Sequence, residues 1–247
     1  MAFDLEHHKK ILTVLECLNS DLLLKGSAYF GGGTLIALEF QEYRWSKDID
    51  FIAPVGREKY GYIRSVVFDN GYSGLFRDLE KIKVERGNTD QYGIRMSVLI
   101  DGLRIKTEII AESRFELDAP RYHQWSPVPC LSFNDCCTSK LLANADRFAD
   151  KSVESRDLID LAVLRIQGTI PQIAIDKAEK AYDVIAPLRK AIEQFKSNPD
   201  YREKCFGSLK IHNNFKPNII DGIDLLSEDL GLSKTSRSFW EEHHIYT

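Results

Sequence analysis

Asp48 and Asp50 stand two apart in Ser46-Lys47-Asp48-Ile49-Asp50-Phe51-Ile52, a segment whose alternation and apolar end predict a β-strand. Side chains two apart on a strand share one face, so both carboxylates project together, their Cα atoms about 6–7 Å apart, while Ile49 and Phe51 turn to the core. Such a pair repels itself unless a cation lies between. Hard oxygen ligands suit Mg²⁺, or Mn²⁺ in its place, bound by one or two carboxylates together with substrate phosphates. An Asp-x-Asp pair alone also describes the solvent face of an edge strand. The residues upstream distinguish this one: Ala28-Tyr29-Phe30 reads as a short strand, Gly31-Gly32-Gly33 as a turn and Thr34 to Phe40 as a helix. That order offers free backbone N–H groups and the positive end of a helix dipole to a phosphate.

In Leu103-Arg104-Ile105-Lys106-Thr107-Glu108-Ile109 the even positions are polar and the odd ones mainly apolar, which sets Glu108 opposite the core. It is either a third acid for the metal or a solvent-facing glutamate of a two-faced strand. Further on, Lys140, Asn144 and Arg147 recur at i, i+4 and i+7 opposite Leu141, Leu142 and Ala145. This polar stripe lines a nucleotide cleft or is simply solvated, and in either case Lys140 should contribute little to stability.

Gly32-Gly33-Thr34, Arg44-x-Ser46-x-Asp48-Ile49-Asp50-Phe51, Lys106-x-Glu108, Lys140 and Arg156-Asp157-x-x-Asp160-Leu161 together resemble the AbiEii/AbiGii-type toxin nucleotidyltransferases of the DNA polymerase beta-like superfamily. The resemblance implies metal binding by Asp48, Asp50 and Glu108, and nucleotide contacts from Gly32, Gly33, Thr34, Ser46, Lys140 and Arg147. It also implies that Lys140 and Asp157 are needed for transfer. The family's third acid is usually aspartate, so Glu108 departs from the pattern, and Asp160 shares a helix with Asp157 as the alternative later acid.

These residues must be positioned by two kinds of structure. A first amphipathic helix is expected from about Leu5 to Leu18, and Tyr92 to Ile100 with Leu103 to Ile110 forms a hairpin about Asp101-Gly102, a pair suited to a type I′ turn. Around Pro120, Pro127 and Pro129 the pattern lapses. Beyond Leu131 helices are expected at about 132–148, 153–166, 172–195, 218–230 and from Ser236 onward. The expected architecture is α+β: a core of residues 1–130 with a mixed sheet flanked by helices, then a helical domain of residues 131–247 closing the nucleotide groove.

Composition fits a folded chain, with 43% hydrophobic and 28% charged residues. The formal charge of −4 supplies no global field for nucleic acid, so an RNA-binding surface has to be local; Arg57, Lys59 and Arg64, or Lys81, Lys83 and Arg86, are candidates. Five cysteines without C-x-x-C spacing argue against a disulfide framework and fit a reducing cytoplasm. His7, His8, His243 and His244 lack metal-site spacing and read as surface residues, and no apolar run reaches membrane-spanning length. The expected function is transfer of a nucleoside monophosphate from a nucleoside triphosphate to an acceptor hydroxyl. The resemblance implies an RNA acceptor such as tRNA, and a toxin paired with a cognate antitoxin or serving phage defence. The alternatives are a small-molecule or protein hydroxyl as acceptor, and a non-catalytic nucleotide-binding module.

Overall fold

A computed structural model describes residues 3–237. The chain divides into two compact units, Met1–Glu42 with Ser46–Phe133, and Tyr43–Trp45 with Asn134–Thr247.

The first unit is built on a mixed sheet. Its strands are β1 (Tyr29–Gly31), β2 (Ile49–Pro54), β3 (Lys83–Val84), β4 (Asn88–Thr89), β5 (Gly93–Ile100) and β6 (Leu103–Glu112). The order is β1-β2-β6-β5-β3, with β4 also on β5; β2 and β6 are parallel and every other pair is antiparallel. The expected hairpin forms, with Asp101 and Gly102 at φ of 46° and 74°, the positive values that a type I′ turn requires at both central residues. Alternation along β5 and β6 buries Ile94, Met96, Val98, Ile105 and Ile109 on one face. The unit's helices are α1 (Glu6–Cys17), α2 (Ser20–Lys25), α3 (Gly32–Glu39) and α4 (Tyr60–Asn70). Ile11, Val14 and Leu15 of α1, and Leu35, Ile36 and Leu38 of α3, are essentially fully buried.

Two expectations change here. The strand carrying the aspartates starts at Ile49, because β1 offers ladder partners only to residues 50–52 and β6 only from Ile49 onward. Asp48 therefore lies just outside the ladder. His8 is not a surface residue but fully buried, since the chain after α3 folds back on α1 and brings Glu42 and Ser46 to its ring.

The second unit is helical over the described residues: α5 (Phe133–Arg147), α6 (Arg156–Gln167), α7 (Gln172–Glu179), α8 (Ile185–Ser197), α9 (Pro199–Ser208) and α10 (Lys216–Asp229). The helix expected over 172–195 is split into α7 and α8. Pro187 lacks the N–H that a continuous helix needs, and Asp183 accepts from the Ile185 and Ala186 amides to open a new one. Glu154 and Ser155 have φ of 57° and 51°, which delays α6 to Arg156. The α6–α10 crossing is close, for a Cβ on Gly222 would stand 2.3 Å from the Ala162 carbonyl oxygen. Of the helix expected from Ser236, Ser236 and Arg237 are not helical and residues 238–247, with His243 and His244, lie outside those described. No helix among the described residues is long and apolar enough to cross a membrane. The five cysteines are all buried and none is in a disulfide.

Candidate active site

In the first unit the sheet register aligns the acids. Gly31 pairs with Asp50, Asp50 with Glu108, and Glu108 with Arg95. Directly paired residues on adjacent strands show their side chains on one face, so Asp50, Glu108 and Arg95 form a row across β2, β6 and β5. Asp48 and Asp50 are both half-buried.

Gly32 opens α3 with φ +68°, and a Cβ there would lie 2.5 Å from Asp50 Oδ2. Glycine is required twice over, by a backbone conformation that L side chains rarely adopt and by the carboxylate seated against the turn. Thr34, two residues on, is 1% exposed. Its hydroxyl donates to the Asp48 carbonyl at 2.5 Å. Having given its one proton, Thr34 Oγ1 accepts from the Ser46 hydroxyl at 2.8 Å. These two hydroxyls, expected at the nucleotide, here tie the start of α3 to the segment that carries Asp48.

Glu108, in register with Asp50, is engaged by cations of its own face. Its carboxylate meets Arg95 Nε at 3.3 Å and is ion-paired with Lys106, two residues back on the same strand face. Among the described residues no group of three His, Cys, Asp or Glu side chains is placed to hold a metal ion. Asp48 and Asp50, two hard carboxylates beside a glycine turn, could hold a divalent cation and leave coordination positions to phosphates and water.

The second unit holds the other expected residues in a buried ion cluster. Lys140 on α5 and Asp157 and Asp160 on α6 are 5%, 3% and 0% exposed. Spacing of i and i+3 puts both aspartates on the side of α6 that meets Lys140. Lys140 Nζ lies 3.0 Å from Asp157 and 2.6 Å from Asp160. Arg147, about two turns beyond Lys140, clamps Asp157 through Nε at 2.6 Å and Nη2 at 2.9 Å. Arg44 clamps Asp160 through Nε at 2.7 Å and Nη2 at 2.9 Å, and the Tyr43 hydroxyl donates to the same carboxylate. Burial opposes ionisation of Asp157, but Lys140 and Arg147 outweigh it and hold its carboxyl well below the usual carboxylate range. Asp160 is depressed in the same way, against complete burial, by Arg44 and Lys140. Burial, together with the Asp160 charge, pushes the Tyr43 phenol well above its ordinary value.

The stripe expected at Lys140, Asn144 and Arg147 is thus corrected. Lys140 and Asn144 are buried, and only Arg147, 34% exposed in its side chain, keeps substantial access to solvent. Arg44 and Tyr43 escaped sequence reasoning as site residues. Arg44 stood in the quoted motif, but nothing in its spacing pointed to a carboxylate on a helix more than a hundred residues away.

The class is nucleotidyltransferase: residues 13–206, a span that takes in the aspartate pair and the ion cluster, match the family described as "Nucleotidyl transferase AbiEii toxin, Type IV TA system". The chain belongs to that family, the AbiEii nucleotidyltransferase toxins of toxin–antitoxin systems. Among solved structures it is similar to MenT4, a nucleotidyltransferase toxin from Mycobacterium tuberculosis, at 14% identity and a TM-score of 0.39, over 83% of this chain and 93% of that one. It is also similar to JHP933 from Helicobacter pylori, at 12% identity and a TM-score of 0.34, over 85% of this chain and 100% of the other. No curated protein matches the chain.

Proposed function

We propose that this toxin transfers a nucleoside monophosphate from a nucleoside triphosphate to a hydroxyl of an RNA acceptor in the cytoplasm, with Asp48 and Asp50 holding Mg²⁺ or Mn²⁺. The observation that carries the reading is the seating of the Asp50 carboxylate against Gly32, at a turn where a Cβ would come within 2.5 Å. A metal site and a phosphate-binding turn are needed side by side for this chemistry, and the proximity of Asp50 to Gly32 supports that reading. Asp48 and Asp50 would hold a divalent cation that, when bound, would supply charge stabilisation to the phosphoryl oxygens.

The chain's own groups do the remaining tasks. Gly33 and the first turn of α3 present backbone N–H groups to the triphosphate. Thr34 and Ser46 hold the backbone at Asp48, so the two carboxylates keep their spacing. In the second unit Arg147 is the cation of the cluster with most solvent access, and Lys140 is held by Asp157 and Asp160. Arg95, Lys106, Arg104 and Lys83 follow Asp50 and Glu108 along the same sheet face, as the pairings Glu108 to Arg95 and Leu99 to both Arg104 and Lys83 require. Lys106 and Arg104 are exposed but ion-paired with Glu108 and Glu85, and Arg95 is half-buried between Asp90 and Glu108, so the RNA acceptor rests on the resemblance of the sequence motifs rather than on this face. A cognate antitoxin, which the family implies, is the expected protein partner.

The test is incorporation of label from each of four α-labelled nucleoside triphosphates into total RNA, with Mg²⁺ or with EDTA. Asp48→Asn and Asp50→Asn are expected to abolish incorporation while leaving the far-UV circular dichroism unchanged. Label that resists ribonuclease but yields to protease would replace RNA by a protein acceptor. Near-normal transfer by either variant, or in EDTA, would exclude the metal mechanism.

A further inference from the structure

His8 is a buried histidine that none of the transfer chemistry above employs. Its Nδ1 lies 2.7 Å from Glu42 Oε1, and its Nε2 lies 3.0 Å from the Ser46 carbonyl and 3.2 Å from the Ser46 amide nitrogen. Glu42 is itself fixed, accepting from the Asp4 amide at 2.6 Å and the Leu5 amide at 3.2 Å, just ahead of α1. Nδ1 faces a carboxylate and Nε2 faces the Ser46 backbone, so the ring is held at both nitrogens. The neighbouring His7 adds a contact from Nε2 to the Lys47 carbonyl at 3.2 Å. Two consecutive side chains of α1 therefore grip two consecutive peptides, and the next residue is Asp48.

That grip meets the one from α3. Ser46, held at its backbone by His8, bonds through its hydroxyl to Thr34, and Thr34 bonds the Asp48 carbonyl. Asp48 lies outside the β2 ladder, so no strand pairing fixes it from the N-terminal side. Side chains replace the missing ladder.

We propose that His8, oriented by Glu42, is a positioning residue that sets the Ser46–Asp48 backbone and, through it, the direction of the Asp48 carboxylate; this rests on the assignment of Asp48 to the transfer site. A misplacement of a reacting group by about 1 Å can cost on the order of a hundredfold in rate, so loss of this support should appear in kcat rather than in nucleotide KM.

The ring's two nitrogens can be separated by substitution. In His8→Gln the amide reaches the Nε2 position and keeps the Ser46 contact, whereas in His8→Asn it reaches only the Nδ1 position and keeps the Glu42 contact. Purified full-length His8→Asn is expected to lose about tenfold or more in kcat with KM little changed, and His8→Gln to recover most of the rate. Amide hydrogen exchange at Ser46, which needs no turnover, should quicken in His8→Asn and stay slow in His8→Gln. Equal kcat in the two variants, or unchanged exchange in His8→Asn, would overturn the proposal. Asp48→Asn run alongside separates the failures. If it is inactive while His8→Asn matches the parent, only the positioning role falls; if it retains transfer, the assignment of Asp48 and this inference fall together.

Discussion

Lys140→Ala removes the one ammonium shared by two buried carboxylates, and the second unit should lose about 3 kcal/mol of stability. Removing one partner of a buried ion pair typically costs about 3–5 kcal/mol, because the other charge stays desolvated without compensation. The lower end applies here, since Asp160 keeps the two-point clamp of Arg44 and Asp157 keeps that of Arg147. A solvated lysine would instead change stability by no more than about 0.5 kcal/mol. With Lys140 only 5% exposed and bonded at 2.6 Å and 3.0 Å, the buried case governs. For a chain of this size the thermal midpoint should fall by about 6–12 °C. Urea unfolding followed by circular dichroism at 222 nm reads the change, and Lys140→Met, which keeps volume while removing charge, should behave similarly. If both variants unfold within about 0.5 kcal/mol of the parent, the cluster does not stabilise the fold and the reasoning is wrong.

Acid should act through Asp157. Its folded carboxyl lies below the unfolded value of about 3.9, so its stabilisation is complete above about pH 5 and drains away as pH falls through 4 and lower; Asp157→Asn should be less stable at pH 7 yet show a shallower loss between pH 6 and 3, and parallel urea-midpoint curves would reject this. Gly32→Ala should all but abolish nucleotide incorporation, because the new Cβ collides with Asp50 Oδ2, while backbone strain of about 1–2 kcal/mol leaves the fold intact; transfer above a tenth of the parent rate would show that the turn and the carboxylate are not coupled. Gly222→Ala forces α10 away from the Ala162 carbonyl and should cost about 1–3 kcal/mol by urea melt without touching any site residue, and an unchanged midpoint would mean that the crossing yields freely.

Local pattern carried much of this structure. The hairpin was legible because Asp101-Gly102 needs nothing beyond its two residues to favour positive φ, and the alternation of β5 and β6 is a property of each strand alone. The aspartate pair and the glycine turn were legible as motifs. What they do to one another was not, since the contact of Asp50 with Gly32 depends on the antiparallel pairing of β1 with β2. The failures have the same origin. Lys140 has the sequence context of a solvated stripe, and only the arrival of α6 with two aspartates on one side buries it. The Glu108 pairing with Arg95 was hidden in the same way, because it depends on the register of β5 with β6. His8 looks like one of two surface histidines until Glu42 and Ser46 return to its ring.

Tyr43–Trp45 also bears on how the gene can be divided. A fragment beginning at residue 134 would seem to encode the whole helical unit, yet it omits the three residues that complete it. Such a fragment would bury Asp160 without the Arg44 clamp or the Tyr43 hydroxyl, and it would lose the bond from the Trp45 amide to the Leu209 carbonyl and the Lys210 ammonium stacked 4.1 Å over the Trp45 ring. The helical half is therefore not a module that recombination or truncation can lift out intact. Its first piece, Tyr43–Trp45, is translated some ninety residues before its first helix, so those three residues must wait for the chain that follows before they find their partners.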